Sequence, residues 1–328
     1  MKQLCLVALL VAISTGCDRD SDKPSNPSAT HRSTAAQREQ APPTLSAERR
    51  QFRTHLVRQM KAGEEVAEPP ENLFRVVQYG SEVGKLAAYL TPPPPDGARH
   101  PAIIWIHGGE CNTIGNLWHS APPENDQTAA AYREAGIVMM YPSLRGGNEN
   151  PGFEEGFYGE ADDVVAAEEY LARQPYVDPR RIYLGGHSTG GTLALLVAEC
   201  SDRFRATFCF GPVDNVLRYG RSEPLPFDYE DAREVELRAP GLWLDSVKNP
   251  TFVFEGTLRP SNIASLRNMM HAAPPPTVHL FAVPGATHFT ILAPMNRLIA
   301  SKIVQDTGPQ TNIAFTSDEL THLLASHH

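Results

Sequence analysis

Short apolar runs alternate with longer amphipathic stretches over most of this chain, and the two patterns predict different elements. Apolar runs typical of buried strands occur at 102–106, 137–141, 182–184, 206–210, 251–254 and 278–283. Helical spacing of apolar residues predicts helices at 128–135, 161–173, 190–199, 263–271 and 291–304. Strands that alternate with helices indicate an α/β protein with a mostly parallel central sheet and helices on both faces.

The segment before this alternation has patterns of its own. A helix is predicted over 46–66, with Ser46 as its possible cap. It rests on four apolar residues that share one face at helical spacing, Phe52, Leu56, Val57 and Met60. Two strands are predicted next, at 73–79 and 86–90, around a glycine turn. The folded part of the chain is therefore expected to begin at residue 46.

Two later segments depart from the alternation. Residues 215–248 are rich in prolines, aromatic residues and charges, and they separate two predicted strands. Long insertions of this kind often cover a site, so we expect a cap insertion here, with a surface excursion as the alternative. Residues 307–328 are expected to form a short C-terminal tail with a helix at 317–325, so the main domain is assigned to 46–306.

The first residues have the zones of an export signal, with Lys2 near the start and an apolar run at 4–13. Small residues directly before Cys17 resemble a bacterial lipobox, which implies that 1–16 is a signal peptide and that Cys17 carries a lipid. An ordinary secretory signal is the alternative. Residues 17–45 are polar and proline-rich, which predicts a flexible tether. We therefore expect a bacterial lipoprotein that is anchored to a membrane and lies on the periplasmic side. The anchoring membrane is either the inner or the outer one.

Charge and composition limit the classes of partner. The chain has 328 residues, a formal net charge of -9 and 41% hydrophobic residues, so it can build a large core but has no basic character for nucleic acid. Cys111, Cys200 and Cys209 lack the close spacing of a disulfide framework. No compact group of His, Cys or Asp has the spacing of metal ligands. We expect no nucleic acid partner and no metal or organic cofactor.

The run Gly186-His187-Ser188-Thr189-Gly190 joins a predicted strand to a predicted helix. In this G-x-S-x-G pattern, glycines allow a sharp turn that presents the serine hydroxyl at the edge of a sheet. The amides at the start of the following helix point at the same place and favour negative charge there. Ser188 is therefore the candidate nucleophile.

A serine nucleophile needs a base and donors for the oxyanion. His288 follows the late strand 278–283 through a short loop, which matches the chain order of serine, acid and histidine in hydrolases with this turn. The backbone N–H of Thr189, directly after the nucleophile, is one expected oxyanion donor. The turn His107-Gly108-Gly109-Glu110-Cys111 resembles the HGG oxyanion turn of esterases and peptidases, and the Glu110 amide is the expected second donor.

The region from about 100 to 300 resembles the α/β-hydrolase superfamily, and more closely the catalytic domain of prolyl oligopeptidase-like serine hydrolases. The residues that carry the resemblance, in order and spacing, are the run 141–147, Gly152, Phe157, Gly159, Asp162-Asp163, Tyr170-Leu171, the run 177–182 and the serine turn. The resemblance implies an α/β-hydrolase fold, a serine-type peptidase or carboxylesterase activity, and a peptide or small ester substrate. It carries over Ser188 and His288.

The third member of a catalytic triad is where the chain departs from the family. Arg259 stands where the family's pattern after the strand 251–254 commonly has an aspartate. An acid is needed to hold the histidine tautomer and stabilise its cation. Glu255 at the same strand end is the tentative acid, Asp214 is the alternative, and Asn262 could orient the histidine without charge.

These residues predict a serine hydrolase that cleaves an ester or peptide bond through an acyl-enzyme on Ser188, with His288 as general base. The alternative, prompted by Arg259, is a catalytically weak or inactive binding lipoprotein that keeps the α/β-hydrolase fold. A carboxylate within hydrogen-bond reach of His288 Nδ1 separates the two readings.

Overall fold

The structure is a computed structural model, and it describes residues 42–220 and 225–325. The predicted signal peptide 1–16 and the predicted lipid site Cys17 lie outside the described residues, as does most of the predicted tether 17–45. Those predictions stand as they were made.

The described chain forms one eight-stranded sheet in the order β1-β2-β4-β3-β5-β6-β7-β8. The strands are β1 (Arg75–Ser81), β2 (Gly84–Leu90), β3 (His100–Ile106), β4 (Val138–Pro142), β5 (Val177–His187), β6 (Thr207–Phe210), β7 (Thr251–Gly256) and β8 (Val278–Val283). Strands β1 and β2 pair antiparallel, β2 also runs antiparallel to β4, and all other neighbours are parallel. The prediction of a mostly parallel α/β sheet is confirmed.

Helices cover both faces of this sheet. They are α1 (Leu45–Gln51), α2 (Ala131–Glu134), α3 (Gly159–Ala172), α4 (Thr189–Cys200), α5 (Ala232–Glu236), α6 (Ile263–His271), α7 (Leu292–Gln305) and α8 (Ser317–Ala325). Side chains of α3, α4 and α6 share one apolar core, and those of α2, α7 and α8 share another. Within the described ranges, no helix has both the length and the apolar character needed to cross a bilayer.

Strand β3 shows why the sheet is buried on both faces. Ala102, Ile104 and Ile106 belong to the core on the α3 and α4 face, whereas Ile103 and Trp105 belong to the core on the α2 and α7 face. Successive side chains of a strand point to opposite faces, so a continuous apolar run is required where both faces are covered. Each of the isoleucines contributes about 1.5–3 kcal/mol by leaving water.

The strand order places one special edge in the sheet. From β3 the chain moves to β4 on one side and then returns to β5 on the other side, so the winding reverses between β3 and β5. Sites in open α/β sheets lie outside the carboxyl ends of the strands at such a reversal. The segment 107–111 follows β3 and Ser188 follows β5, so both lie at this edge.

The predicted helix at 46–66 is wrong in length. Helix α1 ends at Gln51, and its N-cap is Thr44 rather than Ser46. After α1 the backbone amides bond to the insertion instead of to preceding carbonyls: His55 N–H to a Glu234 carboxylate oxygen at 2.7 Å, and Val57 N–H to the Pro226 carbonyl at 2.8 Å. Leu56 forms a β-bridge with Phe227 of that insertion and Phe52 packs against the same core cluster as Leu237, so these residues do not form a helix face.

Over its described residues, the insertion at 215–248 contains α5 and three short 3-10 helices at Val216–Tyr219, Pro240–Leu242 and Leu244–Ser246. Its centre is Arg238, which is fully buried, with its guanidinium bonded to Glu234 and to the Gly156 carbonyl. Phe227 packs against the same guanidinium at 4.1 Å from ring centroid to Cζ. The segment 52–58 and the insertion therefore fold as one layer.

The tail predicted at 307–328 is part of the core over its described residues. The helix expected at 317–325 is α8, and Ile313, Phe315 and Leu320 are buried in the core on the α7 face. The Phe315 ring lies 5.0 Å from the rings of both Phe252 and Phe254. Leu45 is also buried. The domain therefore extends beyond the predicted boundaries 46–306 at both ends of the sequence.

One buried acid in α4 is left without a partner. Glu199 is 2% exposed, and neither carboxylate oxygen has a hydrogen-bond partner within the described ranges. Burial raises the pKa of Glu199 well above its ordinary value, with the Arg49 guanidinium acting weakly in the opposite direction. The folded state therefore holds the proton that the unfolded chain releases near pH 4.3.

This arrangement makes Glu199 a pH-dependent source of instability. A raised folded-state pKa means that stability is lost as pH rises above the unfolded value. We expect Glu199→Gln to match wild type near pH 4 and to be more stable by about 1–3 kcal/mol at pH 7. Chemical denaturation at both pH values measures this, with exposed Glu65→Gln as control. If the stability gained by Glu199→Gln over wild type does not grow as pH rises, the prediction is contradicted.

Candidate active site

The backbone at Ser188 is held in a conformation that serine rarely adopts. Its φ is 54° and its ψ is -114°, directly between β5 and α4. The neighbouring glycines make this turn possible by close approach: a Cβ on Gly186 would lie 2.3 Å from the Gly190 carbonyl oxygen, and one on Gly190 would lie 2.2 Å from that of Ile106. The predicted sharp strand-to-helix turn is thus present in the structure.

Ser188 is fixed to the next strand and to its own helix. Its N–H donates to the Phe210 carbonyl of β6 at 2.7 Å, and its carbonyl accepts from the Thr192 N–H at 2.8 Å. Thr189 is the first residue of α4, so its amide belongs to the first turn and has no carbonyl within the helix to bond. That amide and the helix dipole favour negative charge beside Ser188.

His288 is bonded to a carboxylate. Its Nδ1 lies 3.0 Å from Glu255 Oε2, and the other oxygen of Glu255 accepts the Gly256 N–H at 2.8 Å. His288 is 7% exposed and Glu255 is 1% exposed, so the pair is largely shielded from solvent water. A carboxylate on Nδ1 holds the proton there and leaves Nε2 as the basic atom.

Gly211 brings this pair next to the serine. It follows Phe210, which accepts the Ser188 N–H, and its φ is 58°. A Cβ at Gly211 would lie 2.3 Å from His288 Cε1 and 2.6 Å from Glu255 Oε2. Within the described ranges the Ser188 hydroxyl makes no direct hydrogen bond to His288, a contact that often shortens only when substrate is bound.

The other residues considered for the acid are placed elsewhere. Asp214 accepts hydrogen bonds from Arg218 Nε at 2.7 Å and from Asn268 Nδ2 at 2.8 Å. Although burial acts to raise it, those bonds hold the pKa of Asp214 below its usual value. Arg259 is exposed, and Asn262 donates to the Gly211 carbonyl at 2.8 Å rather than to the histidine. Of the candidates, the structure brings Glu255 to His288.

The loop 107–111, here called the oxyanion loop, lies against the serine turn. A Cβ on Gly108 would be 3.1 Å from Ser188 Cβ, and the Gly109 carbonyl accepts the Thr189 hydroxyl at 2.8 Å. A trans peptide points its C=O and N–H in opposite directions, so this contact turns the Glu110 N–H away from that hydroxyl. The amides of Glu110 and Gly109 have no acceptor among the described residues.

Tyr219 is a residue at the site that the sequence patterns did not single out. It ends a 3-10 helix of the insertion, and its hydroxyl lies 2.6 Å from Thr192 Oγ1 in the first turn of α4. The ring stacks on Phe157 at 5.9 Å between centroids, and the phenol hydroxyl lies close enough to the Ser188 side chain to interact with it. The insertion therefore reaches the nucleophile, as its assignment as a cap requires. The only local signal was an aromatic residue inside that insertion.

The sheet order, the turn at Ser188 and the His288–Glu255 pair together are those of the α/β-hydrolase fold. Residues 123–238 match the family model described as "Prolyl oligopeptidase family". The chain is 27% identical over 200 residues to the uncharacterized peptidase YuxL of Bacillus subtilis, which covers 55% of this chain and 29% of YuxL. It is 24% identical over 190 residues to feruloyl esterase B of Neurospora crassa, over 54% of this chain and 62% of that enzyme.

Solved structures show the same fold. The puromycin-hydrolyzing peptidase of Mycobacterium tuberculosis superposes with a TM-score of 0.58 at 17% identity, over 74% of this chain and 40% of that one. At this identity the likeness concerns the fold alone. The chain spans less than a third of the length of YuxL and less than two thirds of that of the esterase.

The close approach at Gly211 predicts a specific sensitivity. Gly211→Ala would place a methyl group between His288 and Glu255, and a displacement of about 1 Å in such a site can cost on the order of 100-fold in rate. We expect Ser188 of this variant to react with a fluorophosphonate at least about 100-fold more slowly than in wild type.

The matched control is Gly136→Ala. Gly136 also has a positive φ, 78°, but nothing lies within 4 Å of a Cβ there, so it bears the same backbone cost far from the serine. Equal slowing in both variants would show that the effect comes from lost stability and not from the histidine pair.

Proposed function

We propose that this chain is a serine hydrolase that cleaves an ester or peptide bond through an acyl-enzyme on Ser188. The observation that carries the proposal is the hydrogen bond between His288 and the buried Glu255 carboxylate, beside a serine held at a positive φ. The match to the prolyl oligopeptidase family model and the similarity to a peptidase and an esterase support the same reaction class.

In the acylation step, His288 Nε2 takes the proton of the Ser188 hydroxyl while the oxygen attacks the scissile carbonyl carbon. The carbonyl π pair moves to oxygen, and the amides of Thr189 and the oxyanion loop, from Glu110 or Gly109, stabilise the resulting oxyanion. Each such donor lowers the barrier by about 2.7–4 kcal/mol. When the tetrahedral intermediate collapses, the bond to the leaving alcohol or amine breaks, and that group takes the proton from His288.

In the deacylation step, water enters the place of the leaving group. His288 removes one proton from the water, and the hydroxide adds to the acyl carbon. Collapse breaks the bond to Ser188 Oγ, which recovers its proton from the imidazolium. Throughout, Glu255 stabilises the cation on His288 without itself taking a proton.

The catalytically weak binding protein was prompted by Arg259 at the usual acid position. Glu255 supplies a carboxylate from the same strand end, which removes that reason for the alternative. Within the proposed reaction, Tyr219 of the insertion lies beside Ser188 and contacts the bound peptide or small ester. We also propose export and anchoring through a lipid on Cys17.

Labelling with a fluorophosphonate probe tests the mechanism on the full chain. Ser188→Ala should abolish labelling, and His288→Ala should nearly abolish it. Glu255→Gln should reduce turnover of a 4-nitrophenyl ester by up to about 10⁴-fold, because an amide cannot stabilise the imidazolium in the same way. Comparison with a peptide 4-nitroanilide then separates esterase from peptidase preference.

Asp214→Asn is the control for the acid. Its carboxylate is bonded to Arg218 and Asn268, so its loss should leave labelling close to wild type. A folded wild-type chain that does not label would overturn the proposal and restore the binding protein. If Asp214→Asn and Glu255→Gln lose ester turnover equally, Glu255 is rejected as the specific acid.

Lipid attachment is tested separately in a bacterial host. With an alkyne fatty acid in the medium, the wild-type chain should be labelled and should partition into detergent. Cys17→Ala should lose both properties, whereas Cys111→Ala should keep them because that thiol is buried in the folded domain. Lipid labelling that survives Cys17→Ala would reject this site.

A further inference from the structure

Two side chains connect the oxyanion loop to the main chain of His288. The Gly108 N–H donates to Gln127 Oε1 at 2.9 Å, and Gln127 Nε2 lies 2.8 Å from His187 Nδ1. On its other side, His187 Nε2 lies 3.0 Å from the His288 carbonyl oxygen. We call this series of three hydrogen bonds the Gln127–His187 link.

The chemistry of the two ends determines every proton in the link. A carbonyl oxygen only accepts, so His187 Nε2 must carry the proton that bonds to His288. His187 Nδ1 is then a bare acceptor, and Gln127 must present its amide N–H to it. That leaves Gln127 Oε1 for the Gly108 N–H, the contact observed. The 3.2 Å approach of Oε1 to Nδ1 has no proton and is not a bond.

The surroundings keep His187 neutral, as this pattern requires. His187 is completely buried, and burial, followed by the nearby His288, lowers its pKa to about 3. Its ring lies 4.5 Å from the His288 ring between centroids. A histidine that stays neutral keeps one donor and one acceptor over the whole working range of pH.

Gln127 is itself held in place. Its main-chain carbonyl accepts the Trp105 indole N–H at 3.0 Å, and its side-chain amide also donates to Asn125 Oδ1 at 2.7 Å. The oxyanion loop packs directly on the link, because a Cβ at Gly108 would lie 2.7 Å from His187 Nδ1. The link therefore joins two rigid attachments and is not a loose surface contact.

We propose that Gln127 and His187 are positioning residues that fix the oxyanion loop relative to His288 through one continuous series of hydrogen bonds. Neither residue touches the reacting atoms. Their role rests on the proposed function, in which the loop amide and the His288 ring must act on one substrate carbonyl. A link between them sets their separation before substrate arrives, and catalysis of this kind depends strongly on such preorganisation.

Two substitutions cut the link at different places. Gln127→Met keeps the length of the side chain and removes both of its hydrogen bonds in the link, together with the one to Asn125. In His187→Asn, the amide oxygen takes the place of Nδ1 and can accept from Gln127, but the shorter side chain cannot reach the His288 carbonyl. Each should lower kcat for a 4-nitrophenyl ester roughly 10- to 100-fold with KM nearly unchanged.

The decisive measurement is the double variant. If both residues act through one link, the double variant that combines Gln127→Met and His187→Asn should lose no more of kcat than the worse of the two single variants. Independent effects would multiply, to roughly 10²- to 10⁴-fold. Thermal midpoints are measured for all variants, and Gln127→Asn, which keeps the amide but is one methylene too short, takes the place of Gln127→Met if the latter does not fold.

Gln174→Met is the matched control. The Gln174 side chain is also half-buried, and among the described residues its amide bonds only to the Tyr170 carbonyl, near the start of β5 and at the opposite end of that strand from Ser188. It should leave kcat unchanged. Gln127 variants within twofold of wild type, or losses that multiply in the double variant, would overturn the inference. A wild-type chain that neither labels nor hydrolyses the ester would instead reject the proposed function.

Discussion

The whole site depends on a contact between backbones at the turn after β5. A Cβ on Gly190 would lie 2.2 Å from the Ile106 carbonyl oxygen, and one on Gly191 would lie 2.4 Å from that of Phe210. Helix α4 can begin directly after Ser188 only because these two positions carry no side chain. The same approach brings together the ends of β3, β5 and β6, from which the oxyanion loop, the nucleophile and the contact with His288 arise.

Much of this could be predicted from the sequence because the signals are local. Apolar runs indicate strands buried on both faces, and glycines around Ser188 indicate a turn where backbones approach. The acid required more than local pattern, since Glu255 lies at the end of β7 and Asp214 lies shortly after the end of β6. Their difference lies in their partners: neighbouring Arg218 and distant Asn268 bind Asp214, whereas distant His288 meets Glu255.

The predictions that failed depended on contacts between distant segments. Apolar residues between 52 and 60 have helical spacing, yet the backbone there bonds to the insertion around residue 226. Phe315 follows the apparent end of the alternation, and only the structure shows that it packs on β7. Gln127 stands in a loop without a motif, so nothing in its neighbourhood indicates that it meets Gly108 and His187.

The position of Phe315 has a consequence for the order in which the fold is completed. Phe208 comes from β6, Phe252 and Phe254 come from the adjacent β7, and Phe315 lies over all three rings. Because residues 313–320 follow every strand of the sheet, a growing chain presents an open aromatic surface until they have been made. Exposed apolar surface of this kind favours association between chains. The domain therefore completes its folding from the C-terminal side, after the catalytic edge has already been synthesised.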